Sequence, residues 1–263
     1  QAHLLEADDG RYYVVKFRNN PQHRRILVNE WIAGTMLRYL GLSCPEIRVV
    51  QLDAAFIESN PEVYIQLGGS HVAVEIGWHF GSQYPGDPAR VMVYDFVPDT
   101  LLEKVANLHE FAGVLVFDKW AGNADARQAI FLRARLREYV PSAAPHPLRM
   151  GFVGLMVDHG YIFNGPHWEF ADAAVAGLYS RPVVYDSIRG YDDFQPWLDR
   201  VLSFPEEEAD RAMREVPLEW LEGDESALYP LMERLMNRRR RVPDLLRETA
   251  RWRINPFRNW NPA

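Results

Sequence analysis

Cysteine is nearly missing from this chain: Cys44 is the only one among 263 residues. A single cysteine excludes an internal disulfide framework and suits a reducing compartment, so a cytoplasmic setting is expected. Beside Pro45, Cys44 reads as a small apolar residue with no chemical role. No apolar run approaches the ~18 residues that span a bilayer, and no signal peptide is visible, so no membrane partner is expected. The common phosphate-cradling signatures are also missing. There is no Walker A sequence, and no two glycines stand two apart, which removes G-x-G-x-x-G. The zinc spacings C-x-x-C and H-E-x-x-H do not occur, nor does the G-x-S-x-G nucleophile elbow. With a formal charge of −7, nucleic acid is not expected as the main partner. No internal repeat or low-complexity segment is present.

What is present is a globular composition, 48% hydrophobic and 25% charged, of a length that suits one large or two small domains. His3–Glu6 and Tyr12–Phe17 flank Asp8-Asp9-Gly10, a hairpin signal. In the second of these strands Val15 and Phe17 share one face, and Val14 and Lys16 the other. Residues 25–40 read as a helix stopped by Gly41. Glu30 has Ile26, Leu27, Ala33 and Gly34 as its helical neighbours. A carboxylate on that face is costly without a cation, and Lys16 is the nearest candidate in sequence. Ile47–Leu52 and Val63–Leu67 read as strands, Gly68–His71 as a turn, and 84–88 as a Pro/Gly-rich loop after Gly77–Ser82. His79 is expected to be packed, because no second ligand stands at metal spacing. Val91–Val97 reads as a buried strand closing a strand-rich lobe, residues 1–97.

Residues 98–263 form the second expected domain. Apolar residues from Leu101 to Val116 recur at helical spacing. They lead to a polar knot, Gly122-Asn123-Ala124-Asp125-Ala126-Arg127-Gln128. Ile130–Leu136 and Met150–Asp158 read as strands around a proline-bearing surface loop, 138–149. The second strand ends in Asp158-His159-Gly160, which presents a carboxylate at a sheet's end. From Pro205 the chain reads as helical. Between Glu233 and Arg258 nine arginines stand against three acidic residues; a solvated helical face is the ordinary reading, an acidic partner the other. A strand Lys, a helix Glu, a loop Asp after a long helix and a later strand-end Asp come in the order that phosphoryl transfer on a two-lobed scaffold requires.

Tyr13-Val14-Val15-Lys16-Phe17, Asn29-Glu30, Gly122-Asn123-Ala124-Asp125 and Val157-Asp158-His159-Gly160 together resemble HipA-like kinases over roughly residues 1–165. The resemblance implies an α+β, bilobal protein-kinase-like fold with a strand-rich N-lobe and a mostly helical C-lobe. It implies ATP- and Mg²⁺-dependent phosphotransfer to a hydroxyl of a protein or small molecule. Asp125, with Asn123 and Arg127 in its loop, is then the catalytic loop Asp. Lys16 and Glu30 serve the nucleotide, and Asp158 serves the metal. Gln1-Ala2-His3 resembles the trailing edge of the family's Gly-Ala-Gln phosphate loop, which makes Gln1 and His3 nucleotide contacts and starts the chain inside that loop. The family pattern has His two residues after the loop Asp and a metal-binding Asn five after it; here those positions hold Arg127 and Ile130. Arg127 can orient Asp125 or neutralise phosphate, and Gln128 can substitute as a ligand. The Ile130 departure leaves open a nucleotide-binding pseudokinase that acts as an interaction module, and nucleotidyl (AMP) transfer on the same scaffold. HipA-like proteins often have a DNA-binding antitoxin, so the Arg-rich tail would suit an antitoxin-like or acidic partner.

Overall fold

A computed structural model describes residues 1–140, 146 and 148–260. The expected loop prolines Pro141, Pro145 and Pro147 lie outside the described residues. The fold is α+β and bilobal, with a strand-rich first part and a mostly helical second part.

The first sheet is antiparallel, in the order β1-β2-β6-β3. β1 (Ala2–Glu6) and β2 (Tyr12–Lys16) form the expected hairpin, with Ala2 opposite Lys16. Gly10 turns it at φ +73°, and Asp9 accepts from the Arg11 N–H at 2.9 Å. The helix α1 (Arg25–Leu40) follows and ends at Gly41, whose left-handed φ of 71° caps it. β3 (Ile47–Leu52) is one edge of the sheet. The short α2 (Ala54–Ser59) leads to a separate hairpin, β4 (Tyr64–Leu67) with β5 (Ser70–Ala73). The turn expected at 68–71 is therefore shorter, because Ser70 and His71 already pair with Leu67 and Gln66.

β6 (Gly77–Gln83) is a strand that its sequence hides. Two glycines, a tryptophan and a histidine look like a loop, yet the segment pairs on both sides, with β2 and β3. Gly81 is required there, since a Cβ would stand 2.5 Å from Val50. His79 is packed as expected: Nδ1 accepts from the Arg18 N–H and Nε2 faces the Glu75 carbonyl, each at 3.0 Å.

The second sheet has the order β7-β8-β9. β7 (Val93–Tyr94) is much shorter than the buried strand expected over 91–97. Only these two residues pair with β8, and Met92 and Phe96 stand exposed. The chain thus crosses from the first sheet to the second between Gln83 and Val93, ahead of position 97. The apolar stripe after it is broken into α3 (Asp99–Leu102) and α4 (Glu110–Ala121). Every residue of α4 is buried, as in a helix at the centre of a core. β8 (Gln128–Arg135), the single turn α5 (Leu136–Tyr139) and β9 (Met150–Val157) follow.

The rest is helical: α6 (Trp197–Leu202), α7 (Glu206–Arg214), α8 (Leu218–Leu221), α9 (Glu225–Arg238) and α10 (Val242–Ala250). Three glutamates in the first turn of α7 favour its N-terminus. The largest core cluster joins α1, α4 and these helices, so it locks the two halves together. Among the described residues no helix is long and apolar enough to cross a membrane.

Much of the Arg-rich charge is used internally. Arg238 and Arg241 both pair with Asp172, Arg239 donates to the carbonyls of Met236 and Phe204, and Arg238 also lies over Phe170. Within Arg238–Arg241, three of the four arginines thus hold the C-terminal helices in place.

Candidate active site

Lys16 ends β2 with its side chain on the α1 side of the first sheet, while Val15 and Phe17 fill the core on the other side. Glu30 lies on the buried face of α1, as the helical spacing requires, with a side chain only 3% exposed. Lys16 Nζ donates to Glu30 Oε1 at 2.5 Å and to Asp158 Oδ1 at 2.9 Å. Burial alone would lower the Lys16 pKa, but Glu30 and Asp158 outweigh it and hold the ammonium charged. Burial likewise pushes the Asp158 carboxyl up, and Lys16 overcomes this and keeps it below the ordinary carboxylate value.

Asp158 follows the last residue of β9 in a left-handed conformation, φ 57°. Its successor His159 donates its backbone N–H to Glu30 Oε1 at 3.0 Å. One carboxylate oxygen of Glu30 therefore fixes both Lys16 and the turn that carries Asp158. Gly160 must be glycine, because a Cβ there would stand 2.6 Å from Ile26 of α1.

These three residues close one end of a cavity of about 300 Å³ between the two sheets. Val14, Ile47 and Phe80 wall it from one side, and Val93, Ile130 and Val157 from the other. Apolar walls with charged groups at one end fit a flat base joined to an anionic tail, and the volume lies at the lower end of small-molecule sites. Gln128, opposite Val157 in the β8–β9 register, lines the same cavity two residues before Ile130. Among the described residues no three His, Cys, Asp or Glu side chains cluster to hold a metal. Asp158 and Gln128 both line this cavity, so a divalent cation placed there would need waters and substrate phosphates as its remaining ligands.

The polar knot divides between surface and interior. Asp125 is exposed in the loop after α4. Its N–H donates to Asn123 Oδ1 at 3.1 Å, and its carbonyl accepts from Gly177 N–H at 3.0 Å. Asn123 is buried and donates to Asp118 Oδ1 at 3.0 Å, so it supports the loop from below.

Arg127 is sealed inside. Its Nε donates to Asp118 Oδ2 at 2.9 Å, its Nη2 to the other oxygen, and its Nη1 to the Val157 carbonyl at 3.0 Å and to His159 Nδ1 at 2.9 Å. Both partners of the ion pair have no exposed side-chain surface. A phosphate-neutralising role for Arg127 therefore needs correcting: no face of its guanidinium is left for a ligand. What it does is bind the start of β8 to the residues on both sides of Asp158. His159 stays neutral, since burial and then the Arg127 charge push its pKa well below the usual value.

The nucleotide contacts expected of Gln1 and His3 also need correcting. Strand alternation puts Ala2, opposite Lys16, in the cavity wall. His3 stands opposite Val15 and packs on the Phe17 ring, 5.0 Å between centroids, on the other face of the sheet. Gln1 exchanges hydrogen bonds of 3.0 and 2.7 Å with the backbone of Gln66 at β4. Asp118 is the residue that sequence reasoning missed. Its signal was the one that revealed Glu30, a carboxylate in an otherwise apolar helix. Cys44 lines the cavity, and burial pushes its thiol up to about 12, so it is inert there.

A family model described as HipA-like kinase matches residues 1–130. Over these residues, just under half of the 263, the chain is similar to that family. The matched stretch holds Lys16, Glu30, Asn123, Asp125 and Arg127 and stops at Ile130, so the HipA-like match ends before Asp158. No curated protein sequence matches the chain. Two solved structures are similar in overall course, both of a Golgi casein kinase, one with Mn/ADP bound. Each is 11% identical; they cover 93% and 94% of this chain and 70% and 69% of their own, with TM-scores of 0.46 and 0.48.

Proposed function

We propose that this HipA-like chain is an ATP- and Mg²⁺-dependent phosphotransferase acting on a hydroxyl of a protein or small molecule. The observation that carries the reading is Lys16 Nζ held between Glu30 and Asp158 at the charged end of the interlobe cavity. Bound ATP·Mg²⁺ supplies the electrophilic γ-phosphoryl group and part of the charge neutralisation. Lys16 holds phosphate oxygens, and Glu30 fixes Lys16 against the pull of that anion. Asp158, with Gln128 beside it, holds the cation; the lysine contact it makes here is one that a divalent ion would replace. Asp125 orients the acceptor hydroxyl and takes up its proton, from a loop whose backbone is pinned by Asn123 and Gly177. The apolar walls exclude water from the base end.

One residue of the cavity wall favours a second reading. Ile130 presents a half-buried hydrocarbon where the family pattern places a metal-binding Asn. A nucleotide-binding module without turnover is what that substitution alone would give. Nucleotidyl transfer needs the same Lys, Glu and Asp with the nucleotide reversed.

The test is incubation of the protein with ATP labelled in the γ-phosphate and Mg²⁺, beside Asp125→Ala and Asp158→Ala. Label on protein or in released phosphate, lost in both variants, supports phosphotransfer. ATP binding without turnover under any divalent metal supports the module instead. Incorporation of α-phosphate label selects nucleotidyl transfer.

A further inference from the structure

The helix that carries Glu30 is gripped at its start by residues far along the chain. Arg25, the first residue of α1, sets its guanidinium fork on Asp224, between α8 and α9: Nε to Oδ2 is 2.7 Å and Nη2 to Oδ1 is 2.6 Å. Its Nη1 donates to the Pro166 carbonyl at 2.8 Å, and the guanidinium lies 4.3 Å from the Trp168 ring centroid. All the polar reach of this side chain points at the second half of the molecule.

One turn further along α1, Asn29 is fully buried. Its amide nitrogen lies within 2.7, 3.1 and 3.0 Å of the carbonyls of Gly160, Ile162 and Gly165, and its oxygen accepts from Trp168 Nε1 at 2.9 Å. Arg24, just ahead of the helix, pairs with Glu222 at 2.9 Å. The segments 160–168 and 222–224 thus hold the first turns of α1 against the turn that bears Asp158.

Glu30 stands five residues after Arg25, about 7.5 Å along the helix axis. It reaches Lys16 only while this end of α1 stays seated, since a displacement of about an ångström would break a 2.5 Å contact. Neither Arg25 nor Asp224 lines the cavity. We infer that Arg25 and Asp224 are positioning residues for nucleotide binding: their ion pair latches α1 to the helical half and keeps Glu30 on Lys16. The inference rests on the nucleotide reading of the cavity and extends it to a pair outside that cavity. The helix is held in its working position by the fold itself, with no ligand or modification needed to bring Glu30 to Lys16.

A merely structural pair would cost stability without regard to Glu30, so the test is a double-mutant cycle. ATP dissociation constants are measured in Mg²⁺ for the parent, Asp224→Asn, Glu30→Gln and the double variant, each checked for a cooperative unfolding transition. Hydrogen exchange of α1 is followed without nucleotide. Asp224→Asn is expected to weaken ATP about three- to tenfold in the parent but less than about twofold in the Glu30→Gln background, and to speed exchange in the first turns of α1 about tenfold. Unchanged affinity, an equal loss in both backgrounds, or unchanged exchange overturns the inference alone. A parent protein that binds no ATP overturns the nucleotide reading and the inference with it.

Discussion

Two ion-pair networks lie on either side of the turn at Asp158, and they differ in one respect. Lys16, Glu30 and Asp158 meet at the edge of a cavity, with the Asp158 side chain 40% exposed. Asp118 and Arg127 meet where neither side chain has any exposed surface. Both networks keep charges in the interior by pairing them, yet only the first leaves a carboxylate and an ammonium open to a ligand. Buried charge alone therefore does not mark a functional site; buried charge beside open volume does. The sealed pair ties α4 and the start of β8 to the strand end that presents the open one.

The comparison can be broken by unequal responses to substitution, measured as unfolding free energy. Arg127→Met, which strands Asp118 without a cation, is expected to cost about 3–5 kcal/mol or to abolish folding. A cost below about 1 kcal/mol, the level of an exposed pair, would erase the distinction.

Acid should act next. His79 is lowered to about 4 and His159 well below 6.5, each chiefly by burial. The folded state thus binds these protons more weakly than the unfolded chain, so their contribution is complete above pH 6.5 and is lost as pH falls below it. Each histidine should remove about 1.4 kcal/mol per pH unit in that range. Denaturant titrations at pH 7.5 and 5.5 check this, and equal stability at both would contradict it.

A smaller effect is expected at Gly177. It sits at φ +73°, a Cβ added there would stand 2.4 Å from Asp118 Cβ, and its N–H holds the Asp125 carbonyl. Gly177→Ala should cost about 1–3 kcal/mol through backbone strain and crowding of the sealed pair. An unchanged unfolding midpoint would show that this contact is slack.

The smallest stability effect belongs to the open network. Asp158→Asn keeps the shape and leaves Lys16 paired with Glu30, so unfolding should shift by less than about 1 kcal/mol. A large loss would make Asp158 structural and remove the contrast with Arg127.

Some of this was legible in the sequence for a clear reason. Glu30 and Lys16 could be paired because helical spacing put a carboxylate among apolar neighbours, and burial then demanded a cation. The hairpin, α1 with its Gly41 stop, and the strand into Asp158 were equally readable from turn glycines and periodicity. β6 was not, because Gly77-Trp78-His79-Phe80-Gly81 hides a strand whose glycine is set by contact with a neighbouring strand. The assignment of Gln1 and His3 failed on strand parity, which depends on the β1–β2 register. The burial of Arg127 is not legible from its loop, because its partner Asp118 lies nine residues away in a helix whose sequence shows chiefly an apolar stripe.

The central claim is that the open network is a nucleotide and metal site. The most direct measurement is calorimetric titration of ATP into the parent and into Asp158→Asn, with and without Mg²⁺. The account predicts that Mg²⁺ strengthens ATP binding to the parent by tenfold or more, about 1.4 kcal/mol, and that Asp158→Asn abolishes this gain while remaining folded. Absence of ATP binding by the parent, or a Mg²⁺ gain that survives Asp158→Asn, would contradict it.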